Sequence, residues 1–139
     1  MVLKLGPAPA AAIRRHGEET YPHECCGFLL GRSGAGGREV ARLLRADNER
    51  GDSPRNRYFI SPEAYLAAEL EAEKEGREIL GVYHSHPDHE ARPSEFDRTH
   101  AFPGLSYVIV SVREGKAEEV RSWVLAADRS RFDPEPVEA

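Results

Sequence analysis

Apolar positions along the chain gather into short runs separated by charged, glycine-rich or proline-rich stretches. CCGFLLG (25–31) is brief, apolar and bounded by glycine, which predicts a short buried strand. The glycine-dense GRSGAGGRE (31–39) then reads as a flexible hairpin connection, with REVARLLRA (38–46) as the returning strand of a first antiparallel pair. YFI (58–60) is a brief strand candidate. ILGVYH (79–84) is almost continuously hydrophobic, so it predicts a strand covered on both faces and central in its sheet. LSYVIVSV (105–112) and EEVRSWVLA (118–126) form a last pair of strands joined by the turn REGK.

Helices fill the intervals. LGPAPAAAIRRHGEET favours a helix starting near Pro7 or Pro9, weakened by Gly17 in its last turn and broken at Tyr21 and Pro22. Ser61 is placed to cap a second helix, with Pro62 at its first position and Glu63 at the positive end of its dipole. Tyr65, Leu66, Leu70 and neighbouring alanines supply its apolar stripe, and Gly76 stops it. Pro93 and Ser94 open a third, short helix through about Phe102, ended by Pro103 and Gly104. DNERGDSPRNR (47–57) is a polar loop without periodicity, and the tail from about residue 128, with DPEPVEA at its end, is expected to fray. The sum is an α/β (mixed α+β) fold in which a mixed sheet carries helices on its faces, as one domain over residues 1–139.

Composition narrows the class of function. The chain has 139 residues, enough to bury a core without disulfide staples. A net charge of -5, with 31% charged residues of both signs, argues against a nucleic-acid partner, which would require a basic excess on one face. No apolar run approaches the roughly 20 residues that span a bilayer, and the Met-Val-Leu-Lys start lacks a secretory core, so a cytoplasmic protein without a membrane partner is expected. Cys25 and Cys26 are adjacent, too close for an unstrained mutual disulfide, and lack the two-residue gap of a zinc knuckle. Reduced thiols are expected.

Candidate chemistry concentrates in YHSHPDHEARPSEFD (83–97). If ILGVYHSH is a strand, its period of two points His84 and His86 to one face and Ser85 to the other. Both imidazoles are then able to grip one ion, and Asp97 offers a third, hard ligand from a separate element. Three protein ligands with a fourth tetrahedral position open to water describe a catalytic zinc rather than a structural one. Ser94 and Asp97 also fit a capping box, and the two roles are compatible because a cap fixes where Asp97 points. His89 and Glu90, inside the loop, read as solvated. His16, His23 and His100 lie near helix ends, where a partly exposed imidazole needs no further account, and Glu24 is locally an ordinary acidic residue. Cys25 or Cys26 beside His23 leaves a thiol nucleophile as an alternative chemistry.

The arrangement of these residues resembles the JAMM metalloprotease family, the metal-binding branch of the MPN-domain superfamily. Its pattern is a glutamate, a long gap, His-Ser/Thr-His, seven residues, Ser, two residues, Asp; here it falls on Glu24, His84-Ser85-His86, Pro87 to Pro93, Ser94 and Asp97. YPHECCGFLLG, Asn48 before the polar loop, the strand running into HSHP, and SYVIVSV with VRSWVL resemble the short prokaryotic branch over almost the whole chain. The resemblance implies a curved, cytidine deaminase-like sheet and one zinc ion per chain held by His84, His86 and Asp97. Glu24 becomes the general base and the Ser94 hydroxyl a donor to the oxyanion, while Ser85 faces away as a supporting hydrogen bonder. It also implies a substrate: the amide or isopeptide bond after the C-terminal Gly-Gly of a ubiquitin-like or sulfur-carrier protein, with cysteine or a short peptide as one leaving group. A non-catalytic MPN scaffold would lack part of the ligand set, and this sequence lacks none of it.

Overall fold

The computed structural model describes residues 2–48 and 58–138. In chain order its elements are β1 (Leu3–Lys4), α1 (Pro7–Thr20), β2 (Cys26–Gly34), β3 (Gly37–Ala46), α2 (Pro62–Lys74), β4 (Glu78–Pro87), α3 (Glu95–His100), β5 (Ser106–Arg113), β6 (Lys116–Leu125), β7 (Phe132–Glu135) and β8 (Val137–Glu138). The strands lie in one sheet ordered β7-β6-β5-β4-β2-β3-β1-β8. β4 runs parallel to β5 and antiparallel to β2, so the near-continuous apolar run does occupy the centre.

Both faces of that centre are covered, and alternation assigns each residue to a side. Cys25, Leu29, Tyr83, Val108 and Val110 join Ile13 of α1 in one core; Cys26, Phe28, Leu30, Val82 and Tyr107 join Ala68 and Ala72 of α2 in another. The adjacent cysteines thus point to opposite faces, both free and buried. α1 runs through Gly17 to Thr20 and breaks at Tyr21, and a Cβ at Gly17 would stand 2.9 Å from Val112 Cγ2 and 3.3 Å from Val110 Cγ1. Glycine lets the helix lie close on β5 at a modest cost in propensity. Gly27 likewise makes room for the buried Tyr83 ring, whose Cε1 lies 2.4 Å from where its Cβ would be. The Tyr83 hydroxyl meets Nδ1 of His16 at 2.8 Å, so His16 is a buried link between α1 and β4 rather than a partly exposed residue.

Several expectations need correcting. The first hairpin has only Ala35 and Gly36 between its paired ends Gly34 and Gly37, because Arg32 to Gly34 continue the strand. Residues 58–60 form no strand. On α2, capped as expected by the Ser61 hydroxyl accepting from Ala64 N–H, the alanines face the sheet while Leu66 and Leu70 stay exposed. The small side chains let the helix approach the sheet, and this turns the leucines outward. The polar loop was expected over 47–57; residues 49–57 of it lie outside the described residues.

The expected frayed tail is instead the seam of the sheet. β7 pairs antiparallel with β6, and β8 pairs parallel with β1, so residues 132–138 join the two ends of the strand order and curve the sheet toward a barrel. Glu135 fixes this seam from inside, its Oε1 accepting from the hydroxyls of Ser106 and Ser122 at 2.7 Å each. Arg38 in turn donates to Ser106 Oγ and to the carbonyl oxygens of Leu80 and Gly104. No local signal announces this: DPEPVEA is polar and proline-broken, and only the two sheet edges give it partners.

Candidate metal centre

Strand period and helix cap together build the site. β4 turns His84 and His86 to one face, and both are buried. Ser85 turns to the other face, where its hydroxyl accepts the N–H of Cys25 at 2.8 Å and so ties β4 to the entry of β2. At the start of α3 the Ser94 hydroxyl accepts from Asp97 N–H at 3.0 Å, and Asp97 Oδ2 accepts from Ser94 N–H at 2.8 Å. This capping box holds the carboxylate with its Oδ2 3.2 Å from His86 Nε2 and 3.4 Å from His84 Nε2, while the two Nε2 atoms are 3.1 Å apart.

Those three atoms match what a metal ion needs. Donors on a tetrahedral zinc at about 2.0–2.1 Å lie roughly 3.3 Å from one another, close to the observed separations. His86 Nδ1 donates to the carbonyl oxygen of Glu90 at 2.9 Å, which leaves a lone pair on Nε2, aimed at the cluster. The charge environment agrees. Burial works to raise the Asp97 carboxyl, but the His84 and His86 imidazoles overcome it and hold it well below its usual range. Burial lowers the His84 imidazole, partly opposed by Asp97, so a neutral, ligand-competent ring is favoured.

Glu24 joins this face through the sheet register. Cys26 pairs with His84, and Ser85 N–H donates to Cys25 O at 3.2 Å; continuing by two places sets Glu24 abreast of His86. Its carboxyl is 3% exposed and its Oε1 has no hydrogen-bond partner. Burial, reinforced by the Asp97 charge, pushes its pKa up to about 9. A carboxyl so raised is poised to hold a proton, and a cation among the three ligands would draw it back toward neutrality.

The remaining sequence candidates separate cleanly. His23, His89 and Glu90 are exposed and stand outside the His84, His86 and Asp97 group, Glu90 contributing only its carbonyl oxygen to His86. His100 stacks on Phe96 at 4.0 Å. Cys25 is 2% exposed, burial pushing its thiol up to about 11, and Cys26 is fully buried. Neither offers a reachable thiolate, so the thiol alternative loses its nucleophile.

Two features of the site escaped the sequence reading. Tyr58 lies stacked on His84, ring centroids 4.4 Å apart, and a cavity of about 610 Å³ lined by Tyr58, Tyr65, Leu66, Phe96, Phe102 and Tyr107 opens beside Asp97. The aromatic residues of YFI carried a signal, but it reads equally as a strand.

Residues 8–126 match the family described as prokaryotic homologs of the JAB domain. A probable TtuB-protein conjugate cleaving protease of Thermus thermophilus is 41% identical over 69% of this chain and 61% of its own. The CysO-cysteine peptidase of Mycobacterium tuberculosis is 30% identical over 88% of each chain. A protein of Salinibacter ruber solved in solution is 46% identical, with a TM-score of 0.77 over 99% of this chain and 90% of that one. The chain spans 41 to 63% of the length of three of the curated relatives it matches.

Proposed function

We propose that this chain, which belongs to the JAMM/MPN family as one of the prokaryotic homologues of the JAB domain, is a zinc-dependent peptidase acting on conjugates of ubiquitin-like or sulfur-carrier proteins. The bond cleaved is the amide after a C-terminal Gly-Gly, releasing a protein lysine, a cysteine or a short peptide. One observation carries this reading: a triangle of His84 Nε2, His86 Nε2 and Asp97 Oδ2 spaced for one ion, beside a buried glutamic acid with an unpartnered oxygen. The names of the Thermus and Mycobacterium relatives supply the substrate class.

His84, His86 and Asp97 hold the ion, one per chain, which when bound polarises the scissile carbonyl and makes a water more acidic. Glu24 takes the proton of the attacking water at Oε1 and passes it to the leaving nitrogen. Ser94 accepts from Asp97 N–H with a lone pair of its Oγ, so its own O–H remains to donate to the developing oxyanion. Tyr58 and the apolar cavity flank the site on the side where an extended tail would approach. We place the protein in the cytoplasm; among the described residues no helix is long and apolar enough to cross a membrane.

The test joins metal analysis to mass spectrometry. Purified protein should carry about one zinc per chain and shorten a Gly-Gly-tailed carrier extended by cysteine or a peptide, and a chelator should abolish the cleavage. Protein of intact fold that takes up no zinc would defeat the proposal, and would favour a non-catalytic scaffold.

A further inference from the structure

Asn48 stands where two unladdered segments of the site meet. It follows β3, its Nδ2 donates to the main-chain oxygen of Glu24 at 3.2 Å, and its Oδ1 accepts from the main-chain N–H of Phe59 at 3.1 Å. Glu24 lies two residues before the start of β2, and Phe59 lies outside any strand or helix, so the sheet ladder that lines Glu24 up with His86 does not extend to Phe59. Each matters to the chemistry. Glu24 carries the base, and residues 58–60 carry Tyr58 on the His84 ring together with Phe59 and Ile60 in the wall of the apolar cavity. A primary amide is the side chain that donates at one end and accepts at the other, and Asn48 uses both ends.

We propose that Asn48 is a positioning residue of the hydrolytic site: one amide ties the backbone of the base Glu24 to the Tyr58–Ile60 wall against which the substrate tail lies. Base and groove are thereby set in one register, although residues 58–60 themselves belong to no strand of the sheet. The role rests on the peptidase reading given above. A displacement of about 1 Å in a base or its substrate costs on the order of a hundredfold in rate, so one bridging amide suffices to matter.

Two substitutions divide the clamp. Asn48→Ala removes both contacts, while Asn48→Asp keeps the acceptor for Phe59 N–H and sets an oxygen against the Glu24 carbonyl in place of a donor. With a peptide-extended, Gly-Gly-tailed ubiquitin-like protein as probe, Asn48→Ala should lower kcat by about tenfold or more and raise KM. Asn48→Asp should lower kcat with KM near that of the wild type. Zinc content should stay unchanged in both. Amide hydrogen exchange gives a readout apart from activity: the Phe59 N–H should be protected in the wild type and in Asn48→Asp, and lose protection in Asn48→Ala. The clamp is overturned if Phe59 exchanges freely in the wild type, or if kcat and KM are indifferent to both substitutions. A zinc-loaded wild type that cleaves no such carrier defeats the peptidase reading itself, and the catalytic role of Asn48 falls with it.

Discussion

Replacing Glu24 by Gln should do two opposite things at once: abolish hydrolysis and stabilise the metal-free protein. The substitution keeps shape and removes the base without touching a ligand atom. The stability effect follows from burial. In the folded, metal-free chain the Glu24 carboxyl holds its proton up to about pH 9, whereas in the unfolded chain it titrates near its model value of 4.5. Below about pH 4.5 both states are protonated and the difference vanishes. Above that, the unfolded state binds fewer protons than the folded one, so stability falls as pH rises. At pH 7 the accumulated cost is about 3 kcal/mol as an upper figure, and Gln, which never ionises, does not incur it. Its NH2 group, new to a buried place, takes back part of that gain, so an increase of about 1–3 kcal/mol is expected. Urea unfolding with EDTA at pH 7.5 and pH 4.5 measures it: the variant should be the more stable at the higher pH and nearly equal at the lower. Zinc uptake should be retained while turnover drops by about 100-fold or more. A variant no more stable than the wild type at pH 7.5 would refute the buried, protonated state, and turnover within tenfold of the wild type would refute the base.

Four further outcomes are expected. Asp97→Asn should keep the cap through its remaining carbonyl oxygen yet drop zinc to well below about half an ion per chain, measured by elemental analysis against an unchanged circular dichroism spectrum. Cys25→Ala with Cys26→Ala should leave kcat within about twofold if the thiols take no part; a collapse of kcat in folded protein would revive the thiol reading. His16, which burial holds down to about 4 from 6.5, stays neutral in the fold while the unfolded chain takes a proton below pH 6.5. Stability should therefore fall by up to about 3 kcal/mol as pH drops from 6.5 to 4, and this slope should be reduced in His16→Gln on denaturation at several pH values. Truncation after Ser130 should lower Tm by roughly 10 °C or more, because Ser106 and Ser122 lose a buried partner in Glu135 and the sheet loses its seam; an unchanged Tm would mean the tail closes nothing.

The chain order of amino acids was enough for the local half of this site. A continuous apolar run ending in His-Ser-His makes a central strand with both imidazoles on one face, and Ser-x-x-Asp makes its own cap, because period and capping act within a few residues. Ser61 and Pro62 likewise settled where α2 begins, whereas the hairpin glycines marked a turn between β2 and β3 without fixing its two-residue length. The family pattern raised Glu24 from an unremarkable acid to a candidate base, but its place abreast of His86 depends on the pairing of Cys26 with His84 across more than fifty residues of chain. Closure of the sheet by residues 132–138 and the outward turn of Leu66 and Leu70 were illegible for the same reason. So were the buried His16–Tyr83 link and the stacking of Tyr58 on His84. Each depends on which surface another element presents, and no local preference encodes that. The sequence alone determined the two imidazoles, the capped carboxylate and their facing; the tertiary structure brought up Glu24, its burial, and the aromatic wall beside the cluster.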